Sequence, residues 1–184
     1  MLLLYNLSID LEKVLVKKKD LCMANIWFDT EFIDNGKTIE LLSIGMVRED
    51  GAEYYAEIEE ADLSDATEWV KENVIAHFTG PKKPRAQIAQ EIVAFCGPAP
   101  TFWAWFGAYD WVALSQLYGR MLDVPPGWPN LFSEIVQHAK YVFKGALMPN
   151  FKKMFENEKA HNALADARWN RQVWDFCEKV LKAK

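Results

Sequence analysis

The chain has 184 residues, of which 51% are apolar and 26% are charged, so it is long enough to form one globular domain with its own core. Its formal net charge of −5 argues against a protein that coats nucleic acid non-specifically, but not against an enzyme that holds one strand end through metal ions. The three cysteines (Cys22, Cys96 and Cys177) include no C-x-x-C pair, which indicates a reducing cytoplasm and argues against a zinc finger. No apolar run approaches the roughly 18 residues of a membrane span.

Residues 1–22 differ in character from the sequence that follows. A weakly patterned apolar stretch ends in a Lys-Lys-Lys-Asp run at 17–20, and Met23 comes three residues before the first clear strand. Codons for such a run can form a purine-rich ribosome-binding sequence. We therefore interpret residues 1–22 as a translated leader before a start at Met23, and residues 23–184 as a single domain. A genuine N-terminal strand or helix that packs on the domain is the alternative interpretation.

The first predicted strand, 26–32, reads IWFDTEF. Side chains on a strand alternate between its two faces, so Asp29 and Glu31 share one face. The other face takes Phe28, Thr30 and Phe32. A strand that is apolar on both faces is usually internal to a sheet. Two neighbouring carboxylates at the end of such a strand repel each other unless a cation lies between them, so we predict a divalent metal site here.

The rest of the sequence predicts a mixed α/β fold. Short turns join the first strand to strands at 40–48 and 53–57, which predicts a leading antiparallel three-strand meander. A helix is predicted at about 66–78, with an apolar stripe of Trp69, Val70, Val74, His77 and Phe78. A second helix begins at Pro84, with the stripe Ile88, Ile92, Phe95 and Cys96. An aromatic strand at 101–106 and helices at about 108–118, 131–142 and 162–182 complete the order.

Two aspartates lie in the first turns of predicted helices and on the apolar side of each. Asp110 shares a stripe with Leu114 and Leu117, and Asp166 precedes the stripe that begins at Trp169. An acid in the first turn favours the positive end of a helix, which explains the residue type but not its inward direction. We therefore expect both aspartates to join the carboxylates of the first strand.

His161 lies five residues before Asp166, on the predicted loop that precedes the last helix. A histidine there can accept a proton from a water and act as a general base. His77 and His138 are interpreted as structural, His77 because it falls on a core stripe. Four carboxylates from three elements suit two Mg²⁺ or Mn²⁺ ions, which are the ions of phosphodiester hydrolysis by a two-metal mechanism.

These motifs resemble the DEDDh 3′→5′ exonucleases, a family with the ribonuclease H-like fold. The resemblance rests on the D-x-E of Asp29 and Glu31, the Tyr109-Asp110 pair after a strand, and the H-x4-D from His161 to Asp166. It covers most of residues 23–182. It implies that the four acids hold two Mg²⁺ ions, with Mn²⁺ able to substitute, and that His161 deprotonates the attacking water.

Within that family, three stretches are similar to the polyadenylate-specific exoribonuclease AS group of bacteria and phages. They read FDTEFIDNGKTIELLSIGMV, WAWFGAYDWVALSQLYG and HNALADARWN. Trp105 replaces an asparagine that is frequent in the broader family, which favours the AS group over proofreading enzymes or oligoribonucleases. The resemblance implies a homodimer that acts on the 3′ end of single-stranded RNA, with a preference for 3′ adenylates.

Three further residues are candidates for contact with the RNA. Thr30 can offer backbone groups to the terminal 2′-hydroxyl, and Phe32 and Tyr109 can stack or hydrogen-bond. Core packing is the alternative for Phe32 and for the aromatic residues of WAWF at 103–106. The competing functions are a DNA-directed 3′→5′ exonuclease, for proofreading or nucleotide recycling, and a nucleic-acid-binding module without catalysis. We expect a cytoplasmic protein, in the host cytoplasm if a phage encodes it.

Overall fold

One mixed sheet organises the part of the chain that the computed structural model describes, residues 23–144, 146–157 and 160–184. The proposed leader at 1–22 lies outside the described residues. The strands are β1 (Asn25–Asp34), β2 (Ile39–Arg48), β3 (Glu53–Ile58), β4 (Lys82–Lys83), β5 (Thr101–Ala104) and β6 (Ser133–Glu134). Their order across the sheet is β4-β3-β2-β1-β5-β6. β2 pairs antiparallel with β1 and β3, whereas β3/β4, β1/β5 and β5/β6 are parallel pairs. The predicted mixed α/β class and the leading meander are confirmed.

Helices flank this sheet. They are α1 (Glu68–Asn73), α2 (Arg85–Cys96), α3 (Ala108–Gln116), α4 (Ile135–Val142), α5 (Phe151–Met154) and α6 (Ala163–Lys182). Asn162 caps α6, since its side-chain oxygen accepts a hydrogen bond from the N–H of Ala165 at 3.1 Å. None of the helices in the described part of the chain is both long enough and apolar enough to cross a membrane.

The two faces of β1 belong to two different layers of the core. Ile26 and Phe28 pack in the cluster that contains the buried side chains of α2 and α3. Trp27 packs in the cluster formed with α4 and α6. Because faces alternate along a strand, Asp29 and Glu31 continue the face of Trp27 and point to the side of α6.

The first turn of α6 lies directly on β2, at Gly45. A Cβ on Gly45 would come within 2.2 Å of the backbone nitrogen of Leu164 and 2.4 Å of the carbonyl oxygen of Ala163. No side chain fits between the helix and the sheet at this point. Gly45 is also the sheet partner of Asp29, so the close approach brings the start of α6 beside the acids of β1.

The helix predicted at 66–78 is shorter than expected. α1 ends at Asn73, and a 3₁₀ turn at Ile75–His77 follows. Since a 3₁₀ turn has three residues per turn instead of 3.6, a stripe drawn for one continuous helix fails here. Trp69 and His77 were predicted to face the core and are exposed instead, whereas Val74 is buried as expected.

Three short elements were not predicted, and two boundaries move. The helix predicted from about 131 begins at Ile135, because the preceding Ser133–Glu134 segment pairs with β5 as β6. The aromatic strand stops at Ala104, two residues before the predicted end at Phe106. β4, β6 and α5 contain two to four residues each, too few to show an alternating or helical pattern.

Candidate active site

A cavity of about 500 Å³ opens at the sheet where β1 passes the first turns of α3 and α6. We call it the acidic pocket. Its lining contains all five residues that the sequence predicts as the core of the site: Asp29, Glu31, Asp110, His161 and Asp166. The sequence motifs, although far apart along the chain, therefore meet in one place.

Three carboxylates form the centre of the acidic pocket. One oxygen from each of Asp29, Glu31 and Asp166 lies within 4.8 Å of the other two, a spacing at which a single cation can contact all three. The alternation of β1 presents Asp29 and Glu31 on one face, and the contact of α6 with Gly45 carries Asp166 to that face. Hard carboxylate oxygens of this kind are ligands for Mg²⁺, Mn²⁺ or Ca²⁺.

Asp110 approaches the strand from the other layer. Its side chain is buried in the first turn of α3, and its Oδ1 accepts hydrogen bonds from the N–H of Thr30 at 2.8 Å and from the Thr30 hydroxyl at 2.7 Å. Asp110 therefore stands outside the group of three oxygens, although it lines the same pocket. Thr30 was a candidate for RNA contact, but both of these donors are used within the protein.

The close packing of these acids changes their proton affinity. Burial, followed by the charges of Asp110, Asp166 and Glu31, raises the pKa of Asp29 well above its ordinary value. Burial and the charges of Asp166 and Asp110 raise the pKa of Glu31 to about 8. Burial raises the pKa of Asp110 to about 6, against the hydrogen bonds from Thr30 that lower it. Near neutral pH the pocket must therefore hold protons or bind cations.

His161 lies at the edge of the pocket with its side chain accessible. Its backbone N–H donates a hydrogen bond to Oδ2 of Asp166 at 3.0 Å, which fixes the loop against the first turn of α6. Its ring meets the exposed ring of Trp69 edge to face, with 4.8 Å between the centroids. The imidazole is thus held beside the carboxylates and still faces solvent, as a proton acceptor for a bound water requires.

Sequence comparison identifies the family. A family model described as the 3'-5' exoribonuclease Rv2179c-like domain matches residues 24–178. The chain belongs to this family. Two curated relatives from Mycobacterium tuberculosis are 3'-5' exoribonuclease Rv2179c of strain H37Rv and 3'-5' exoribonuclease MT2234.1 of strain CDC 1551. Each is 44% identical to the chain over 119 residues, which cover 60% of this chain and 71% of the relative.

Two asparagines support the acidic pocket of this exoribonuclease family member, and neither was predicted. The amide of Asn170 is buried and donates to the carbonyl of Phe28 at 2.9 Å, which ties α6 to β1 just before Asp29. The amide of Asn157 donates to Oδ1 of Asp166. The sequence carries a signal for Asn170, which follows Asp166 by one helical turn on the same face, but none for Asn157.

Backbone strain in the described residues coincides with the acidic pocket. Phe106 (φ 54°) and His161 (φ 66°) are the non-glycine residues with positive φ in that part of the chain, and both line the pocket. Residues held in this conformation cost free energy and concentrate at functional sites. The positive φ values of Phe106 and His161 therefore point to the same site as the acids do. Sequence composition and motif spacing could not have predicted them.

The remaining aromatic candidates occupy different environments. Phe32 lines the pocket, and its ring meets that of Tyr109 edge to face at 5.8 Å. Tyr109 is half exposed but does not line the pocket itself. Trp105 lines the pocket and packs edge to face with Trp169, with 5.2 Å between centroids. Trp105 therefore forms part of the wall of the acidic pocket.

Proposed function

We propose that the chain degrades single-stranded RNA from its 3′ end by hydrolysis of phosphodiester bonds, with release of 5′-monophosphates. Membership of a 3'-5' exoribonuclease family supports the reaction and its direction. The observation that carries the mechanism is the meeting of three carboxylate oxygens within 4.8 Å beside the middle of β1, close to a fourth acid and an accessible histidine.

The acidic pocket fits divalent cations. Asp29, Glu31 and Asp166 would hold one Mg²⁺ ion between them, and Asp110, which shares the cavity, would complete a site for a second. The raised pKa values of the acids support this assignment, because buried carboxylates this close need positive charge to remain ionised. When bound, a pair of such ions supplies activation of water and neutralisation of charge on the leaving oxygen, and Mn²⁺ would substitute for Mg²⁺.

His161 is assigned as the general base. Its imidazole would accept the proton of the attacking water at a free ring nitrogen and pass it to solvent, to which the side chain is open. The hydrogen bond from its N–H to Asp166 holds the loop that carries His161 beside the carboxylates. General-base catalysis of this kind contributes about 10²- to 10⁴-fold to a rate.

The finer family assignment is part of this proposal. We assign the fold to the ribonuclease H-like class and the site to the DEDDh group, on the order of the D-x-E, Tyr-Asp and H-x4-D motifs along the chain. The longer sequence similarity to the exoribonuclease AS group supports a preference for 3′ adenylates and a homodimer. Trp105, which forms a wall of the pocket, is consistent with that group.

The test is metal-dependent shortening of labelled oligonucleotides. Matched single-stranded RNA and DNA, each with 3′ ends that vary in base, are incubated with Mg²⁺, with Mn²⁺ or with EDTA. We expect RNA to shorten from its 3′ end only with metal, and fastest at terminal adenylates. Faster loss of DNA would favour the DNA-directed alternative, and no shortening of either would favour a binding module.

A matched pair of variants separates chemistry from folding. Asp166→Asn removes a carboxylate of the acidic pocket. Asp175→Asn makes the same change nearer the C-terminal end of α6, outside the pocket. We expect the first variant to lose activity and the second to keep it. Equal activity in both variants would contradict the assignment of Asp166.

A further inference from the structure

Phe106 exposes a large apolar ring at the acidic pocket. It follows β5 directly after Trp105, leaves 71% of its surface accessible to solvent and lines the cavity that contains the four acids. Its φ of 54° lies in the left-handed region, which aromatic residues rarely occupy. Neither burial nor backbone preference explains a phenylalanine here, because the ring contributes little to the core and glycine or asparagine fits this φ better.

The protein holds this ring in a defined position. One oxygen of the Glu134 carboxylate accepts the N–H of Phe106 at 2.9 Å, and the other accepts the N–H of Gly107 at 3.2 Å. The ring of Trp105 stands edge to face behind it, with centroids 5.6 Å apart. A Cβ on Gly107 would lie 2.3 Å from that of Ala104, so the turn is also too tight to admit another side chain.

The charge of the pocket makes an uncharged contact useful. Among its described lining residues, Lys152 is the one lysine or arginine, against four carboxylates. The protein without bound metal therefore does not attract phosphates strongly, and its net charge of −5 adds to their repulsion, so its own side chains must hold the RNA by other contacts. The π-face of a nucleobase, in contrast, binds to an aromatic ring without regard to charge and with little regard to base identity.

We propose that Phe106 stacks on a base of the RNA strand whose 3′ end occupies the acidic pocket, with Glu134 as the residue that positions the ring. This inference rests on the proposed function and adds to it a specific stacking contact with the substrate. Phe106 exposes more of its surface than the other two aromatic candidates, since Tyr109 is 52% exposed and Phe32 is partly buried. The ring of Phe106 leaves its surface open to a base.

Kinetics on a single-stranded oligoribonucleotide at saturating Mg²⁺ test the proposal. Phe106→Ala should raise KM roughly 5- to 150-fold, the range of alanine substitutions at stacking residues, and leave kcat within about twofold. Phe106→Trp should keep the wild-type KM, and Phe106→Leu, which is apolar but not planar, should resemble Phe106→Ala. Leu122→Ala is the matched control, since Leu122 is 70% exposed and lies outside the pocket lining.

Substrates that lack one base identify the nucleotide on which Phe106 stacks. The same oligoribonucleotide is made with the base removed at one of its last three positions in turn. At one position the difference in KM between wild type and Phe106→Ala should vanish. A difference that persists with every abasic substrate would overturn the proposal, as would a wild-type KM for Phe106→Ala.

Stability and association provide independent readouts. Phe106→Gly relieves the positive φ and removes little buried surface, because 71% of the residue's surface is exposed, so its melting temperature should equal or exceed that of wild type while KM rises. A lower melting temperature would indicate a structural role instead. A change of oligomeric state in sedimentation would place the ring at a subunit interface and refute the stacking.

The outcomes also separate this inference from the proposed function. Wild-type protein that shortens RNA, together with a Phe106→Ala variant of unchanged KM, refutes the stacking alone. Wild-type protein that does not shorten RNA refutes the proposed function. In that case the anisotropy of a fluorescent RNA, titrated with wild type and with Phe106→Ala, decides whether the ring binds a base.

Discussion

Replacing Gly45 by alanine tests whether the contact between β2 and α6 sets the geometry of the acidic pocket. The new Cβ would lie 2.2 Å from the backbone nitrogen of Leu164, whereas ordinary contacts begin at 3.4 Å. Gly45 is not among the glycines with positive φ, so alanine introduces a collision but no backbone strain. Because backbone atoms cannot rotate away, the first turn of α6 must retreat by roughly 1 Å.

The retreat has two expected consequences. Asp166, two residues after Leu164, moves away from Asp29 and Glu31, and a displacement of about 1 Å near the chemistry costs on the order of 100-fold in rate. We therefore expect kcat/KM for RNA shortening to fall about 100-fold. Overpacking of this kind lowers the free energy of unfolding by about 1–3 kcal/mol. For a chain of this size, that lowers the melting temperature by roughly 2 to 12 °C.

Gly51→Ala is the matched control, because it introduces backbone strain without a steric collision, whereas Gly45→Ala introduces a collision without strain. Gly51 has a φ of 91° and nothing within 4 Å of the position that a Cβ would take, so alanine there strains the turn between β2 and β3 without a collision. It should cost about 1–2 kcal/mol of stability and leave kcat/KM unchanged. Calorimetry gives both melting temperatures, and rates are compared where both variants are folded. A Gly45→Ala variant that loses no more activity than Gly51→Ala would refute the reasoning.

Three further predictions concern the charges of the pocket. Asp166→Asn should reduce RNA shortening to near background, while its melting temperature in EDTA stays level or rises because repulsion is relieved; a clear drop would instead indicate a structural role. His161→Ala should lose roughly 10²- to 10⁴-fold in rate and still bind Mg²⁺ in calorimetric titration, and unchanged turnover would remove it from the base role. Metal-free protein should lose stability as the pH rises from 4.5 to about 8. The folded pKa of Glu31 exceeds its ordinary value, so the folded state binds more protons over that range, and this advantage disappears above it. Thermal unfolding in EDTA and in Mg²⁺ checks this, since Mg²⁺ should flatten the decline and a rising midpoint in EDTA would contradict it.

Regular elements were the predictable part of the fold. β1 and β2 are ten residues each and α6 is twenty, long enough for their patterns to show which face is buried. That is why the meander and the helices that carry Asp110 and Asp166 could be placed in advance. The same periodicities predicted that the acids of β1 share a face and that both aspartates point inward. Their catalytic roles stay predictions.

The features that escaped prediction depend on contacts between distant residues. Glu134 holds the turn at Phe106, and β6 exists because Ser133 lies beside β5, neither of which a local pattern records. The ring of Trp69, on α1, contacts the ring of His161 on the loop before α6, whereas a stripe drawn on α1 alone placed Trp69 in the core. The positive φ at Phe106 coincides with the hydrogen bonds to Glu134, and the residue type alone does not predict it.

The close approach of α6 to Gly45 also determines when the site comes into being. Asp29 and Glu31 are among the first residues of the domain to leave the ribosome, and β1, β2 and β3 can pair while the rest of the chain is still being made. Asp166 arrives much later, on a helix that must dock before three carboxylates meet. A nascent chain therefore has no complete acidic pocket, and under the proposed function it cannot degrade the message from which it is being translated.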